Sequence, residues 1–172
     1  MDKILYNVAE MMALSARTAP KTKGEDYITI KILEGQEVKD LAEKMENYGD
    51  ATGKPNYDRD ARGVKMSSAV LLLALNKAEP AGLDCGACGF SRCDQLKLKR
   101  EGNEFDGPIC AWRLVDLGIA LGSAVKTASL FNADNRIMYR IGVVARREGM
   151  IEGEVTIGVP LAAAGKNIFF DR

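Results

Sequence analysis

The chain contains no histidine among its 172 residues. This absence excludes Ser-His-Asp and Cys-His catalysis, and it excludes zinc, Rieske and haem sites that need an imidazole ligand. Acidic and basic residues are equal in number, 24 of each, so no excess charge favours nucleic acid or an anionic membrane as a partner. The chemistry that remains is chemistry brought by a cofactor.

Long hydrophobic runs are also lacking. The most apolar stretch, residues 114–125, is interrupted by Asp116 and is shorter than the roughly 20 residues that span a bilayer. Residues 1–18 carry charges at Asp2, Lys3, Glu10 and Arg17 and have no continuous apolar core, which argues against a secretory signal. We therefore expect a cytoplasmic protein with reduced thiols and no disulfides.

Cysteine is scarce, but the four cysteines are grouped. Cys85, Cys88, Cys93 and Cys110 are separated by two, four and sixteen residues. A CxxC pair places two sulfurs near one centre, and the glycines that follow the first two cysteines let backbone amides approach the sulfurs. This spacing predicts an iron-sulfur cluster first. Structural zinc, which usually takes two separated CxxC knuckles, and free redox thiols are the alternatives.

The cysteine segment resembles a known module. Residues 84–93, closed by residues 107–110, resemble the four-cysteine [4Fe-4S] module of membrane electron-transport complex B subunits and of the corrinoid iron-sulfur protein. The resemblance covers about residues 83–112 and implies that the four cysteines ligate one cluster. Five basic residues lie nearby and are expected to stabilise an anionic cluster and raise its potential. They are Arg92, Lys97, Lys99, Arg100 and Arg113.

Hydrophobic periodicity predicts a single α+β domain over residues 1–172, with a cluster-binding insertion at 83–112. Its small mixed or antiparallel sheet of three or four strands packs with helices. Helices are predicted at 2–17, 38–45, 111–131 and from a cap at Asn132 or Asp134 to Arg147; strands are predicted at 27–33, 68–75 and 154–159, the last ending at Pro160. The apolar run at 70–75 is typical of a central strand covered on both faces. The polar residues 48–62 are expected to form an exposed loop.

The long helix at 111–131 carries small residues on several faces, so another backbone could pack closely against it. The tail holds adjacent Phe169 and Phe170, which should dock on this subunit or a partner. We therefore expect a homodimer with residues of about 114–131 in the interface and the tail against the partner.

The two ends of the chain resemble a shortened FMN-dependent nitroreductase-like protein. The resemblance rests on residues 15–20 after the first helix, the small-residue helix at 116–128, and a late glycine-valine-proline turn with an arginine at the end. It implies intertwined subunits with a flavin between them and basic residues on its phosphate. Arg17, Lys166 and Arg172 are the predicted contacts, with Lys21 or Lys23 as further candidates.

The whole chain is similar to a prokaryotic family described as containing a ferredoxin domain. Electron transfer through one [4Fe-4S] cluster, to a redox partner protein or a small-molecule acceptor, is the first expectation. The alternatives are an FMN-dependent oxidoreductase fed by the cluster and a zinc-stapled binding module. No acid–base residue stands out, because Asp58, Asp60 and Asp84 fit solvated loop carboxylates. Trp112 is the best candidate to cover the cluster from solvent.

Overall fold

The computed structural model describes residues 1–97 and 101–170. Its centre is a four-stranded antiparallel sheet in the order β1-β2-β4-β3. The strands are β1 (Ile28–Glu34), β2 (Ala69–Leu75), β3 (Asp134–Asn135) and β4 (Val155–Ala162). The predicted α+β class with a small sheet is confirmed.

Helices cover both faces of this sheet. They are α1 (Asp2–Thr18), α2 (Gln36–Thr52), α3 (Tyr57–Lys65), α4 (Ala111–Leu130) and α5 (Tyr139–Arg147), with short 3-10 turns at Thr22–Gly24 and Cys93–Lys97. Helices α1 and α4 share one hydrophobic core with the sheet, and α2, α3 and α5 share the other. No helix within residues 1–97 and 101–170 is both long and apolar enough to cross a membrane.

The composition of strand β2 explains why helices cover both faces of the sheet. Its seven residues are all buried, with Leu71 and Leu73 in the core under α1 and α4, and Val70 and Leu72 in the core on the opposite face. Side chains alternate along a strand, so a continuous apolar run needs a cover on both sides. The prediction of a central strand is confirmed.

The prediction of an exposed loop at residues 48–62 is wrong. Helix α2 continues to Thr52 and ends at Gly53, whose left-handed φ of 67° closes the helix, and α3 begins at Tyr57. Tyr57 and Asp60 are buried. The buried side of α3 consists of tyrosine, aspartate, alanine, glycine and valine. Because this face is only weakly apolar and the residues between its members are charged, the sequence reads as a polar loop.

The predicted helix from residue 132 to 147 is also too long. Asp134–Asn135 forms the edge strand β3, and α5 begins only at Tyr139. Strand β4 in turn runs through Pro160 to Ala162. Gly158 forms two backbone hydrogen bonds with Met138, on the side of β4 that faces β3. Pro160 lies two residues further on and faces the same side. Because proline has no N–H, a hydrogen bond is lost on that side only, and the pairing of β4 with β2 loses none.

The tail docks on its own chain. Phe169 is buried in the core beside α3, where its ring lies close to Gly63, and its carbonyl accepts a hydrogen bond from Arg136. Phe170 is exposed and lies over the Arg136 guanidinium at 5.3 Å. The expected docking occurs, but Phe169 packs against this subunit rather than a partner.

Candidate functional site

The cysteine segment leaves the sheet at the end of β2 and returns at the start of α4. The segment has two limbs, one that leaves β2 and one that returns to α4, and Glu154, immediately before β4, binds both. Its carboxylate accepts the Lys77 N–H at 3.1 Å, and its carbonyl accepts the Asp106 N–H at 3.0 Å. Arg146 pairs with the Asp106 carboxylate and donates to the Gly153 carbonyl at 2.6 Å. The insertion is therefore fixed to the sheet at its base.

A second anchor holds the returning limb. Glu104 accepts hydrogen bonds from the Lys54 ammonium at 2.5 Å and the Tyr57 hydroxyl at 3.2 Å. Burial, followed by the nearby charge of Glu104, raises the pKa of Tyr57, so this phenol stays a donor. Lys54 and Tyr57 lie in the stretch 48–62, which was predicted to be an exposed loop, so the sequence did not predict this anchor.

All four cysteines line one small cavity of about 10 Å³, together with Phe90, Trp112 and neighbouring backbone. Cys110 is buried at the N-cap of α4, Cys88 and Cys93 are half-buried, and Cys85 is exposed. All four are free thiols. The structure thus brings the predicted ligand residues together at the N-terminus of α4.

Backbone and side-chain N–H groups point at two of these sulfurs. The Trp112 indole donates to Cys85 Sγ at 3.3 Å, and the Asp84 N–H donates to Cys93 Sγ at 3.4 Å. The Asp84 carboxylate in return accepts the Cys93 N–H at 2.7 Å. Hydrogen bonds from the Ala87 N–H and then from Trp112 lower the pKa of Cys85, which favours its thiolate.

Glycine makes the turn between the first two cysteines possible. Gly86 and Gly89 adopt φ of 72° and 87°, a region open to glycine at no steric cost, and the Gly89 N–H donates to the Gly86 carbonyl at 2.9 Å. The turn leaves space at both Cα atoms, since a Cβ there would meet no atom within 4 Å.

The cysteine set fits an iron-sulfur cluster in its donor chemistry, because thiolates are the usual ligands of such clusters. The geometry is not that of a formed metal site. Among residues 1–97 and 101–170, no three histidine, cysteine, aspartate or glutamate side chains are placed to hold a metal ion. The cavity has room for about one water molecule, so loading would have to widen it.

Of the five basic side chains expected to surround the cysteines, the structure describes two, Arg92 and Arg113. Arg92 is exposed and pairs with Asp94 at 2.6 Å. Arg113 is 1% exposed and points into the protein, away from solvent. Lys99 and Arg100, with the Lys97 side chain, lie outside the described residues. The expectation that Arg113 charges the cluster is therefore corrected.

Arg113 belongs to a buried polar network behind the cysteines. It donates to the Glu79 carbonyl at 2.8 Å and the Thr22 carbonyl at 3.0 Å, and it pairs with Glu25 and Asp116. Asp116 in turn accepts both the N–H and the hydroxyl of Thr22 at 2.8 Å. The signal in the sequence was a charged residue interrupting an apolar helix three residues after an arginine.

This network fixes the first turn of α4. The backbone N–H of Arg113 donates to the Cys110 carbonyl at 3.0 Å, so the buried guanidinium and the buried cysteine belong to one rigid turn. Three separate segments meet on that guanidinium: the α1–β1 connection, the start of the insertion and α4. Arg113 consequently fixes the position of Cys110, and its own charge is compensated by Glu25 and Asp116.

Two of the three predicted flavin-phosphate residues, Arg17 and Lys166, are described by the structure and lie on different segments. Arg17 donates to Asp26 at 2.6 Å and to the Ile28 carbonyl at 2.8 Å, beside the end of β2. Lys166 is exposed in the tail after β4, and the last residues of β4 pair with the first residues of β2, about 20 Å along that strand from its other end. Arg172 lies outside the described residues.

The alternative phosphate ligands differ in exposure. Lys21 is buried against the C-terminus of α1, where its ammonium donates to the carbonyls of Ala16, Arg17 and Ala19 at 2.7 to 2.9 Å. Lys23 is exposed in the next turn. Lys21 thus caps a helix and is committed to a structural role.

The three candidate aspartates have different surroundings. Asp58 is exposed and pairs with Arg62, and Asp84 is exposed in the cysteine turn, both as expected for loop or surface carboxylates. Asp60 is 3% exposed and lies between Arg59 and Arg140, at 2.7 and 2.9 Å. The interpretation of Asp60 as a solvated carboxylate is wrong, because α3 turns it inward.

Comparison with known proteins places the chain. Residues 106–172 match the family described as "uncharacterized protein containing a ferredoxin domain (DUF2148)". A protein of Archaeoglobus fulgidus, itself described as uncharacterized, is 49% identical over 165 residues, which is 95% of this chain and 89% of that protein. The chain belongs to this ferredoxin-domain family. The family match includes Cys110, α4 and the tail.

Solved nitroreductases share the fold of this family member. Nitroreductase CinD from Lactococcus lactis, in complex with nicotinic acid, has a TM-score of 0.61 at 13% identity, covering 96% of this chain and 84% of that one. A nitroreductase with bound FMN from Desulfitobacterium hafniense has a TM-score of 0.57 at 15% identity, covering 93% and 78%. Nitroreductase A from Vibrio parahaemolyticus has a TM-score of 0.56 at 12% identity, covering 94% of this chain. The chain spans only 60% of that protein.

Proposed function

We propose that this protein is an iron-sulfur redox protein that transfers electrons through one [4Fe-4S] cluster bound by Cys85, Cys88, Cys93 and Cys110. The observation that carries the proposal is the single cavity lined by all four free cysteines, with N–H groups directed at two of the sulfurs. The ferredoxin-domain description of the family supports it. When bound, such a cluster supplies reversible one-electron transfer.

The chain's own residues have three tasks in this proposal. The turn at residues 85–89 presents two thiolates close together, and the rigid start of α4 presents Cys110. Phe90 and the buried Leu96 pack against the cysteines and keep water from that side. The N–H donors from Asp84 and Trp112 reduce the cost of gathering negative charge on the sulfurs. Free thiols of this kind persist in a reducing cytoplasm, where we place the protein.

The test is metal and sulfide analysis of protein purified without oxygen. We expect about four irons and four acid-labile sulfides per chain, and a brown colour that Cys88→Ser abolishes. Protein that contains stoichiometric zinc and no sulfide after the same handling would refute the proposal and favour a zinc-stapled module.

We further propose that the chain forms a homodimer through the outer face of α4. This face exposes Leu114, Val115 and Ile119, each 40 to 45% exposed, beside Gly118 and Gly122. Helix α1 packs against α4 and also exposes large apolar residues, among them Ile4, Met11 and Leu14. Exposed apolar residues of this number favour an interaction site, and a second copy offers a matching surface.

Light scattering tests the dimer. A Cβ at Gly122 meets no atom within 4 Å, so Gly122→Arg should fit the isolated chain but block a second copy. We expect a dimer for the wild-type protein and for Gly165→Arg, a change in the exposed tail, and a monomer for Gly122→Arg. A monomeric wild-type protein at micromolar concentration contradicts this assembly.

A flavin is the second candidate cofactor, because a structure of the same fold contains bound FMN. We propose an FMN site between two subunits, with Arg17 of one chain and Lys166 and Arg172 of the other on the phosphate. Arg17 lies beside one end of β2, and the tail that carries Lys166 leaves β4 beside the other end, which supports a shared site. Such a protein would be an FMN-dependent oxidoreductase supplied with electrons by the cluster, delivering them to a small-molecule acceptor or a redox partner.

Titration of the cluster-loaded protein with FMN tests this second candidate. We expect saturable binding that Arg17→Ala weakens and that Arg62→Ala, a change at an exposed arginine of α3, leaves unaltered. No binding at high micromolar FMN would leave the cluster as the only redox centre.

A further inference from the structure

Trp112, the only tryptophan of the chain, joins the two ends of the cysteine set. It lies in the first turn of α4, two residues after Cys110. Its indole Nε1–H donates to the sulfur of Cys85 at 3.3 Å, across 27 residues of sequence. One side chain thus connects the buried cysteine at the helix start to the exposed cysteine at the start of the insertion.

The backbone that carries this indole is held in place. Trp112 is flanked by Cys110, which is buried, and by Arg113, which is buried with acceptors from three segments. The first turn of α4 therefore cannot shift without breaking the Arg113 network. The backbone that carries the N–H donor is consequently fixed, while the acceptor of that N–H lies on an exposed turn.

The hydrogen bond from Trp112 differs from that to Cys93 because its donor is a side chain. Cys93 receives a backbone N–H from the preceding limb, a bond that no side-chain substitution removes. Cys110 is enclosed by Ala81 and Leu96. Cys85 receives the backbone N–H of Ala87 as well, and Trp112 adds to it a side-chain donor that a substitution can remove, at the exposed edge of the site.

We propose that Trp112 is a positioning residue that raises the reduction potential of the centre by donating its indole N–H to the Cys85 sulfur. The inference rests on the proposed iron-sulfur function. Reduction adds one electron and increases the negative charge on the ligand sulfurs, so an N–H donor stabilises the reduced state more than the oxidised state. Removing the donor while keeping the ring should lower the potential.

The test replaces the N–H and nothing else. Because the chain has one tryptophan, analogues can be incorporated at a single site. Benzothienylalanine has the shape of tryptophan with sulfur in place of the N–H, and 5-fluorotryptophan retains the N–H as the matched control. We expect the first to shift the reduction equilibrium by about tenfold, or about 59 mV downward for a one-electron couple. The control should stay near the wild-type value.

A second measurement reads the contact directly. With ¹⁵N in the indole, pulsed electron paramagnetic resonance of the reduced protein should show a hyperfine coupling from that one nitrogen. Trp112→Phe, which also lacks the donor, should follow the isostere in potential.

The outcomes separate the inference from the proposed function. A loaded protein with the expected iron and sulfide, whose potential is the same with the isostere and which shows no ¹⁵N coupling, overturns the role of Trp112 alone. A protein without iron and sulfide overturns the proposed function and this role together.

Discussion

Replacing Arg113 with methionine tests how firmly the start of α4 is held. Methionine retains an unbranched apolar side chain of similar length but removes the charge and its donors. Arg113 and Asp116 are 1% and 6% exposed in their side chains and 3.4 Å apart, so Arg113→Met leaves a buried carboxylate without its cation. Breaking such a pair costs about 3–5 kcal/mol of unfolding free energy.

The other contacts of Arg113 decide where in that range the cost falls. Glu25 is 42% exposed, and water screens its pairing, so losing it adds less than about 1 kcal/mol. Asp116 still accepts two hydrogen bonds from Thr22, which keeps its charge partly compensated. We therefore expect the lower end, about 3 kcal/mol.

Urea unfolding of the apo protein under reducing conditions measures this cost. Arg62→Met is the matched control, because Arg62 pairs with Asp58 on the surface, where such a pair contributes about 0.3–0.5 kcal/mol. Adding Asp116→Asn to Arg113→Met should recover part of the loss by removing the uncompensated charge. Equal, small losses for Arg113→Met and Arg62→Met would show that the reasoning about the buried network is wrong.

Three further predictions concern other parts of the chain. Without metal, limited proteolysis should cut within residues 81–103, whereas cuts in the helices would show that the insertion does not open separately. Burial raises the pKa of Asp26, but a backbone hydrogen bond and Arg17 outweigh it and lower the pKa below 3.8. The Asp26→Asn loss in unfolding free energy should therefore be full above about pH 4 and fade toward pH 2. A Cβ at Gly142 would lie 1.7 Å from the Thr156 carbonyl oxygen, so Gly142→Ala should destabilise the fold by several kcal/mol in urea unfolding.

The sequence predicted those elements whose pattern depends on one strand or helix alone. The run Val70–Leu75 needs cover on both faces wherever it lies, and the apolar stripe of α1 defines a helix without reference to neighbours. The buried face of helix α3 has helical spacing but contains few strongly apolar residues. Its buried residues, including Tyr57 and Asp60, are recognisable as core only when Arg140 and the returning limb of the insertion are in place.

The candidate site divides in the same way. Sequence spacing identified the four cysteines, because their chemistry and local turn are encoded within a short segment. The direction of Arg113 depends on residues about 90 positions earlier in the chain, and no local pattern contains that information. The strand register, which places the end of β4 beside the start of β2, is likewise absent from any local pattern.

Because Arg113 is buried and paired with carboxylates, the negative charge of the cysteine sulfurs must be stabilised by other groups. Its guanidinium is neutralised by Asp116 and Glu25, so it exerts little net attraction on the cysteine sulfurs. Fixed dipoles take over that role. Cys110 stands at the N-terminus of α4, a 20-residue helix whose first N–H groups carry partial positive charge, and Cys85 and Cys93 each receive an N–H. The helix dipole is set by the backbone of α4, and the Trp112 indole is carried on the first turn of the same helix, so the charge balance of the site depends on the buried network that fixes that turn.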